Sequence, residues 1–464
     1  MRPSEQSKLP LDFEYEEGRA DEKITARAGI PLVVETFRGL GLAESVKSNL
    51  LLKQRQRGLD EASYVESFVV LNAAGGDCLE DFEPLRQDQA LAELIGHKLP
   101  SPEAARKFLY QFHDDSKMEQ AQQQLPEGQV SYIPAESQAL RCLGHVNEDL
   151  IGELGRRCGQ ERIATIDLDS TVIESWKQEA QATYQGGRGY QPLLALWAEM
   201  NVIVADEFRD GNVPAQQEPR RVARRAFGSL PATVEEFYFR GDAACYEREL
   251  LAWLQDEQRE GGPTGRIGFA ISVRMHRKLK REIASLPEQA WQAYRQDTEI
   301  ISECAELPGE DGAATLHQIA IRMRKRQGDL FADGSEARYF AVVTNIGDWK
   351  PRRLLEWHRE KAGSIEAVHD VLKNELASGV LPCGRFGANA AWLRLAVISH
   401  NVLTALKRIA LPPELLSARP KRLRFLIFNT VGRIVQHARK TLCCVAGVGW
   451  GQWRRALAAH PAPA

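Results

Sequence analysis

The stretch RIATIDLD, residues 162–169, begins a strand-rich part of this chain. Apolar and polar side chains alternate along it, as is typical of a β-strand, and its last residues include two carboxylates. Alternate side chains of a strand point to the same face, so Asp167 and Asp169 share a face. A carboxylate at a strand end is exposed at the edge of a sheet, which is where ligands collect. We therefore expect a β-sheet with an acidic site at the end of this strand.

The elements after this strand are of two kinds. Further strand-like runs are 193–198, 202–208, 232–239, 267–273, 316–322 and 339–344. Helical runs are 246–254, 352–373, 388–409 and 423–440. Several strands that look antiparallel, followed by long helices, favour an α/β core with a helical cover.

The chain before this strand reads as helical, from Ile24 to about Asp115. One helical run ends at Gly75-Gly76, which is a good helix stop, and Ser101-Pro102 is a strong start signal because serine caps a helix and proline suits its first turn. The pattern alone leaves two interpretations open, a DNA-binding domain or a helical subdomain without that role.

Positive charge is local, although the formal net charge is −3. Between Lys407 and Arg455 there are eleven Lys or Arg residues against one acid, Glu414. Local patches decide phosphate contacts, so a slightly acidic chain can still bind nucleic acid. The residues predicted to contact DNA are Arg274, Arg277, Lys278, Lys280, Arg322, Arg324, Lys325 and Arg326. Each basic run taken alone could equally be a solvated charged face.

The sequence argues against several classes of protein. The eight cysteines form no C-x-x-C pair, which predicts reduced, mostly structural thiols and a cytosolic compartment. The N-terminus is polar, so we expect no signal peptide. The sequence contains no run of about 18 apolar residues, so we expect no membrane-spanning helix. There is no His-x-x-x-His pattern and no phosphate-binding loop, which argues against a zinc hydrolase and a nucleotide-binding enzyme.

Three acids at strand ends or on a helix are candidates for metal binding: Asp169, Asp242 and Glu366. Asp242 follows an apolar strand and Gly241, while Glu366 lies in a predicted helix. Carboxylate oxygens are hard donors that suit Mg²⁺ or Mn²⁺, and two such ions about 3.5–4 Å apart assist phosphoryl transfer. The pattern alone leaves ordinary structural roles open, with Asp169 as a turn residue and Glu366 as part of a solvated helix face.

Ordered blocks along most of the chain carry a resemblance to a known family. They are ITARAGIP at 24–31, GGDCLED at 75–81, LRQD at 85–88, SP at 101–102, DLDST at 167–171, YQGGRGYQP at 184–192, RDGN at 209–212, RGD at 240–242, SIE at 364–366, FGAN at 386–389 and HN at 400–401. In this order they resemble the bacterial insertion-sequence transposases of the DDE superfamily, over about residues 21–440.

The resemblance implies an α/β fold, with a ribonuclease H-like catalytic core interrupted by a β-rich insertion, a helical N-terminal domain and a helical C-terminal region. The implied division of the chain is a flexible N-terminus at 1–25, a helical DNA-binding domain at 26–150, a catalytic core at 151–267 and 346–410, a β-rich insertion at 268–345 and a basic helical tail at 411–464.

The resemblance also implies that Asp169, Asp242 and Glu366 are the catalytic residues and the ligands of two Mg²⁺ ions, for which Mn²⁺ can substitute. The aspartate before the Ser-Thr pair of DLDST is taken as the first ligand. Asp167, on the same strand face, stays open as the true ligand or as a supporting residue. Lys373, which follows Glu366 by two helical turns, is a further supporting residue that can reach a phosphate.

The third acidic motif departs from the family pattern. The family often has Tyr seven and Arg four residues before the glutamate, and here those positions hold Arg359 and Ala362. His358 and Lys361 lie nearby and could take over the phosphate-positioning role, so Lys361 is counted among the supporting residues.

The activity implied by the resemblance is cut-and-paste DNA transposition, in which the ends are cleaved and the 3′-hydroxyl is joined to target DNA. The implied partners are double-stranded DNA, as terminal inverted repeats and as target, and a second copy of the chain; no membrane partner is expected. The implied location is the bacterial cytoplasm, in association with the nucleoid. A catalytically silent DNA-binding relative and a structure-selective nuclease of the same fold remain alternatives.

Overall fold

The computed structural model describes residues 22–52, 58–159, 161–307, 316–438 and 440–445. Its helices are α1 (Ile30–Gly39), α2 (Leu42–Asn49), α3 (Glu61–Ala74), α4 (Phe82–Gln87), α5 (Gln89–Ile95), α6 (Pro102–Tyr110), α7 (Asp115–Gln123), α8 (Gln138–Arg157), α9 (Pro219–Gly228), α10 (Arg248–Gln255), α11 (Arg277–Ala284), α12 (Pro351–Glu375), α13 (Phe386–Ile409) and α14 (Pro420–Leu423).

The strands are β1 (Ile24–Thr25), β2 (Ile163–Ser170), β3 (Ile173–Glu174), β4 (Gln181–Ala182), β5 (Arg188–Tyr190), β6 (Leu193–Trp197), β7 (Val202–Glu207), β8 (Glu236–Gly241), β9 (Ile267–Ser272), β10 (Gln292–Gln296), β11 (Ile300–Leu307), β12 (His317–Lys325), β13 (Ala337–Thr344), β14 (Gly432–His437) and β15 (Lys440–Val445). The six strand-like runs predicted from the sequence are confirmed as β6, β7, β8, β9, β12 and β13, and the opening stretch as β2.

A nine-stranded mixed sheet forms the centre of the molecule, in the order β10-β11-β12-β13-β9-β8-β2-β6-β7. β2 pairs in parallel with β8, and β8 pairs in parallel with β9. All other neighbours in this sheet are antiparallel. The carboxyl ends of β2, β8 and β9 therefore meet at one edge of the sheet, and a mixed α/β architecture is confirmed.

The strands of the predicted insertion continue this sheet. β13 pairs with β9, and β12, β11 and β10 follow outward as an antiparallel meander. The predicted start of the insertion at residue 268 falls inside β9, whose partners are β8 on one side and β13 on the other.

Helix α13 joins the sheet to the N-terminal helices. Nearly all of its side chains are buried, and it contacts α1, α3 and α8 on one side and β7 on the other. Asn401 anchors it, because its Oδ1 accepts a hydrogen bond from the Ile203 amide of β7 (2.8 Å) and its Nδ2 donates to Asn147 Oδ1 of α8 (2.8 Å). Buried polar groups require such partners. The sheet and the helical layer thus share one core.

Local signals placed the helix ends correctly. The Ser101 hydroxyl accepts from the Ala104 amide at the start of α6, with Pro102 in its first turn. Gly75 ends α3 with φ of 92°, in the left-handed region that glycine tolerates best. The predicted helical run 388–409 is confirmed as α13, and 352–373 as part of α12.

The predicted helix at 423–440 is wrong. Helix α14 ends at Leu423, a π-helical turn follows over Arg424–Phe428, and the chain then forms the hairpin of β14 and β15. The β-branched pair Ile434-Val435 favours a strand. The deciding interaction is remote in sequence, because β14 pairs with β1 at the other end of the chain.

The same pairing corrects the predicted N-terminus, in which residues 1–25 were expected to be flexible. Ile24 and Thr25 form β1, and Thr25 is buried. Residues 1–21 of that segment, and residues 446–464 of the predicted tail, lie outside the described residues. Within the part of the chain that the structure describes, no helix has both the length and the apolar character needed to span a membrane. All eight cysteines are free.

Candidate active site

Neighbouring parallel strands bring Asp169 and Asp242 together. Leu168 of β2 lies opposite Gly241 of β8, so the two aspartates are the next residues at the same edge of the sheet. Gly241 is required for close packing there, because a Cβ at this position would lie 2.5 Å from Cys245 Cβ. The Asp242 carboxylate itself caps the following turn, since its Oδ1 accepts from the Ala244 amide (2.9 Å).

Asp167 is fully occupied by partners inside the protein. It is 0 % exposed, and Arg240 binds it through two hydrogen bonds, from Nε to Oδ1 (2.6 Å) and from a terminal nitrogen to Oδ2 (2.9 Å). The Ser364 hydroxyl donates a further bond to Oδ2. Paired charges with two parallel hydrogen bonds are strongly held. The two aspartates of β2 therefore differ in kind, because Asp169 has no such pairing with an arginine.

The environment of the Asp169 carboxylate disfavours its ionised form unless a cation lies nearby. Burial raises its pKa to about 6, and the neighbouring charge of Asp242 also raises it, against the lowering effect of Lys361. Burial and like charge both disfavour an ionised carboxylate, whereas a nearby cation stabilises it. The acid pair is therefore short of positive charge.

Lys361 of α12 is the cation beside the pair. It is 7 % exposed, and its Nζ lies 3.4 Å from Asp169 Oδ1. Burial by itself would lower the pKa of an ammonium group, but the charges of Asp169 and Asp242 outweigh burial and raise the pKa of Lys361. We call Asp169, Asp242 and Lys361 the acid cluster; it holds two carboxylates and one ammonium.

Two histidines of α12 border the acid cluster. His358 Nε2 donates to the carbonyl oxygen of Gly241 (3.1 Å), and burial lowers the pKa of His358 to about 4. His369 Nδ1 lies 4.0 Å from Asp169 Oδ2, and burial lowers the pKa of His369 to about 3. The His369 Nε2 is buried without a hydrogen-bond partner among the described residues. Both imidazoles are neutral at pH 7.

Glu366 lies on α12 with its side chain exposed. It shares one side of the helix with His369 and Lys373, which follow it by three and seven residues. Lys373 reaches toward the loop after β2, where its Nζ lies 3.5 Å from the Val172 carbonyl oxygen. Within the described ranges, no group of three or more His, Cys, Asp or Glu side chains is arranged to hold a metal ion. The structure thus joins two of the three predicted acids and leaves Glu366 at the flank.

The acid cluster has the chemistry that a divalent cation requires. Asp169 and Asp242 are hard oxygen donors at adjacent strand ends, and the Lys361 ammonium stands beside them where positive charge is needed. Such donors suit Mg²⁺ or Mn²⁺. Glu366 is an exposed third donor on the helix that carries Lys361. These residues fit a divalent ion.

The residues predicted to contact DNA differ in how far they are buried. Arg322 is 6 % exposed, and it donates to Glu288 Oε1 (2.7 Å) and Glu303 Oε2 (3.0 Å) while it lies over the ring of Trp291 at 4.3 Å. Arg324 also pairs with Glu303 (2.9 Å). The exposed residues are Arg274, Arg277, Lys278, Lys280 and Arg326, and Lys325 is half-buried. Arg322 therefore belongs to the sheet's own packing.

Arg240 and Ser364 belong to the site although the sequence patterns gave them no role, and both stand inside the motifs RGD and SIE. A signal for Arg240 was present, because it is a lone basic residue at the end of the strand FYFRG, and a buried charge needs a partner. Ser364 gave no comparable signal. Its partner Asp167 is 197 residues away in sequence, and only the packing of α12 on β2 joins them.

Comparison with known proteins gives a family match over almost the whole chain. The model of a family described as "Transposase DDE domain group 1" matches residues 17–448. Among solved structures the chain is similar to that of a piggyBac transposase synaptic complex with hairpin DNA, at 10 % identity and a TM-score of 0.47, with 88 % of this chain and 81 % of that chain covered. No curated protein matches this sequence.

Proposed function

The chain belongs to the transposase DDE domain group 1 family, and from this premise we propose that it cleaves transposon ends and joins the freed 3′-hydroxyl to target DNA. The observation that carries the proposal is the parallel register of β2 and β8, which sets Asp169 and Asp242 side by side at one sheet edge. Carboxylates so placed suit phosphoryl transfer by metal-bound oxygen groups.

Asp169, Asp242 and Glu366 would hold two Mg²⁺ ions, with Mn²⁺ as a substitute. When bound, such ions activate the attacking oxygen and stabilise the leaving one. Asp169 is the first ligand in this proposal, because Asp167 already binds Arg240 and Ser364.

Residues around the ligands position them. The ion pair of Arg240 with Asp167 ties β8 to β2, and Arg240 also donates to the Trp357 carbonyl oxygen of α12 (2.6 Å). The helix is thereby held against both strands that carry the aspartates. Lys373, beside the loop after β2, would contact a phosphate of the bound DNA as a point charge.

The topology supports a ribonuclease H-like core. The antiparallel strands β2, β6 and β7 are followed by β8 and β9, which are parallel to β2, and α12 packs across them. In this proposal the core comprises 151–267 and 346–410 together with the rest of β9, which ends at Ser272, and the β-rich insertion follows β9. The helical region 26–150 and the exposed cations of α11 would contact DNA, and two copies of the chain would pair two ends.

The test is Mg²⁺-dependent nicking of a duplex that carries the element's own terminal repeat, by the parent protein and by Glu366→Gln. We expect nicking by the parent, and loss of nicking with retained DNA binding in the variant. Glu356→Gln is the matched control, since Glu356 is another exposed glutamate of α12 and pairs with Arg352 (3.0 Å). This control should cut like the parent.

Other outcomes would change the assignment. Nicking that survives in Glu366→Gln would remove Glu366 from the ligand set. DNA binding without nicking by the parent would support a silent relative, an alternative that Arg359 and Ala362 at the altered motif positions leave open. Equal cutting of unrelated duplexes would support a structure-selective nuclease.

A further inference from the structure

We propose that Lys361 is a built-in counter-ion of the aspartate pair, whose ammonium takes the place of the divalent cation in the metal-free protein and yields to it when metal binds. Lys361 would thereby set the metal affinity of the site. This inference rests on the proposed function, because it takes Asp169 and Asp242 to be metal ligands.

The position of Lys361 supports this role. The residue is 7 % exposed, so the ammonium is removed from water, and Nζ lies 3.4 Å from Asp169 Oδ1. A buried ammonium group persists only beside compensating charge. Asp169 and Asp242 supply that charge, whereas Arg240 and Ser364 occupy the third acid, Asp167.

The net charge of the acid cluster explains why the Lys361 ammonium would move away when a divalent ion binds. One ammonium faces two carboxylates, so the pair keeps a net negative charge in the metal-free protein. A divalent ion would supply more charge and bind both carboxylates, and it would repel the ammonium at such short range. Lysine has a long flexible stem and no fixed geometry, so its ammonium group can withdraw while the stem stays packed.

A second buried lysine provides a matched control. Lys407 of α13 is also 7 % exposed, but its Nζ donates to a carbonyl oxygen, that of Ala418, at 3.3 Å. Replacing Lys407 by methionine removes a buried ammonium of equal exposure without touching the acid cluster. Any change that comes only from losing a buried lysine should therefore appear in both variants.

The experiment measures Mn²⁺ binding to the full chain without DNA, from the electron paramagnetic resonance signal of free Mn²⁺. Lys361→Met should bind Mn²⁺ more tightly than the parent, by roughly tenfold, which lies within the usual range of coupling between competing interactions. Lys361→Arg keeps the charge and should not gain affinity. Lys407→Met should bind like the parent.

The outcomes separate this inference from the proposed function. If the parent binds Mn²⁺ and Lys361→Met binds equally or more weakly, Lys361 is no competitor and the inference is overturned while the metal site stands. If no variant binds Mn²⁺, both the inference and the proposed metal site fail. Lys361→Gln replaces Lys361→Met if circular dichroism shows that the methionine variant does not fold, and the same gain is expected of it.

Discussion

Two buried charge clusters of this chain are balanced in opposite ways. In the first, which we call the arginine cluster, Arg394 of α13 donates to Asp206 Oδ1 (3.0 Å), Glu136 Oε1 (2.9 Å) and two backbone carbonyl oxygens, while Arg225 donates to the same Glu136 oxygen (2.9 Å). Burial opposes ionisation of Glu136, but the charges of Arg394 and Arg225 outweigh it and lower its pKa to about 2. Each charge here has hydrogen-bonded partners of opposite sign.

The acid cluster is left incomplete. Two carboxylates share the single ammonium of Lys361, and the pKa of Asp169 is raised to about 6, chiefly by burial. Buried ion pairs stabilise a fold only when the geometry satisfies each charge, and an uncompensated one costs stability. The arginine cluster therefore joins parts of the protein, whereas the acid cluster can accept a further cation from solution.

The largest effect should follow from breaking the arginine cluster. Arg394→Met leaves the buried Asp206 without its arginine and leaves the half-buried Glu136 with Arg225 alone. This should lower the free energy of unfolding by about 4–5 kcal/mol. Urea unfolding at pH 7 measures it. The control is Arg156→Met, since Arg156 is largely exposed and its ion-pair partner among the described residues is Glu153 on its own helix. This variant should lose under about 1 kcal/mol of stability. If both variants lose a similar amount of unfolding free energy, the arginine cluster does not hold α13 to the sheet.

A smaller loss should follow at Asp167, the satisfied carboxylate next to the acid cluster. Arg240→Met leaves Asp167 buried with Ser364 as its remaining partner, and we expect a loss of about 3 kcal/mol. Adding Asp167→Asn to Arg240→Met should recover part of this loss, because the unpaired charge is removed. If urea unfolding shows that the double variant is no more stable than Arg240→Met, the unpaired charge of Asp167 is not the cause of the loss.

Substitution of Asp169 should raise the free energy of unfolding, whereas the two preceding substitutions lower it. The pKa of Asp169 is raised from 3.8 to about 6 in the folded state. Between pH 3.8 and 6 the carboxyl group of Asp169 ionises in the unfolded chain before it does so in the folded protein. The free energy of unfolding therefore falls as pH rises through this window, and the full loss is reached above pH 6. Asp169→Asn removes this cost, but it also takes a charge partner from Lys361. The variant should therefore stabilise the metal-free protein at pH 7.5 by about 1–2 kcal/mol, which is less than the roughly 3 kcal/mol of the full pKa shift, and by less still at pH 5. Equal gains in urea unfolding at both pH values would contradict the raised pKa.

The smallest effect should be a change in the salt dependence of DNA binding. We expect it for an exposed cation and not for a buried cation that already pairs with acids. Lys280→Gln removes an exposed charge of α11, which should reduce the slope of log affinity for DNA against log salt by about 1. Arg322→Gln removes a cation that binds Glu288 and Glu303, so it should lower stability and leave the slope unchanged. Fluorescence anisotropy with a labelled duplex over a range of salt concentrations measures the slope. A lower slope for Arg322→Gln would place that arginine on the DNA.

Short-range patterns accounted for most of the elements. Period-two alternation identified β2 and the other central strands, and capping signals such as Ser101-Pro102 and Gly75 gave the correct helix ends. Such signals act within a few residues, so they are fully present in the sequence. They failed at 423–440, where pairing of β14 with the distant β1 decides the structure.

Sequence patterns were sufficient to identify this chain as a mixed α/β protein of the DDE transposase family and to indicate Asp169 and Asp242 as candidate ligands. Only the tertiary structure distinguished Asp169 from Asp167, because the two share one strand face and differ in partners that come from β8 and α12. It alone placed Lys361 beside the pair and buried Arg322 among acids. The physical reason is range: periodicity and capping depend on neighbours along the chain, whereas charge compensation depends on side chains brought together by packing.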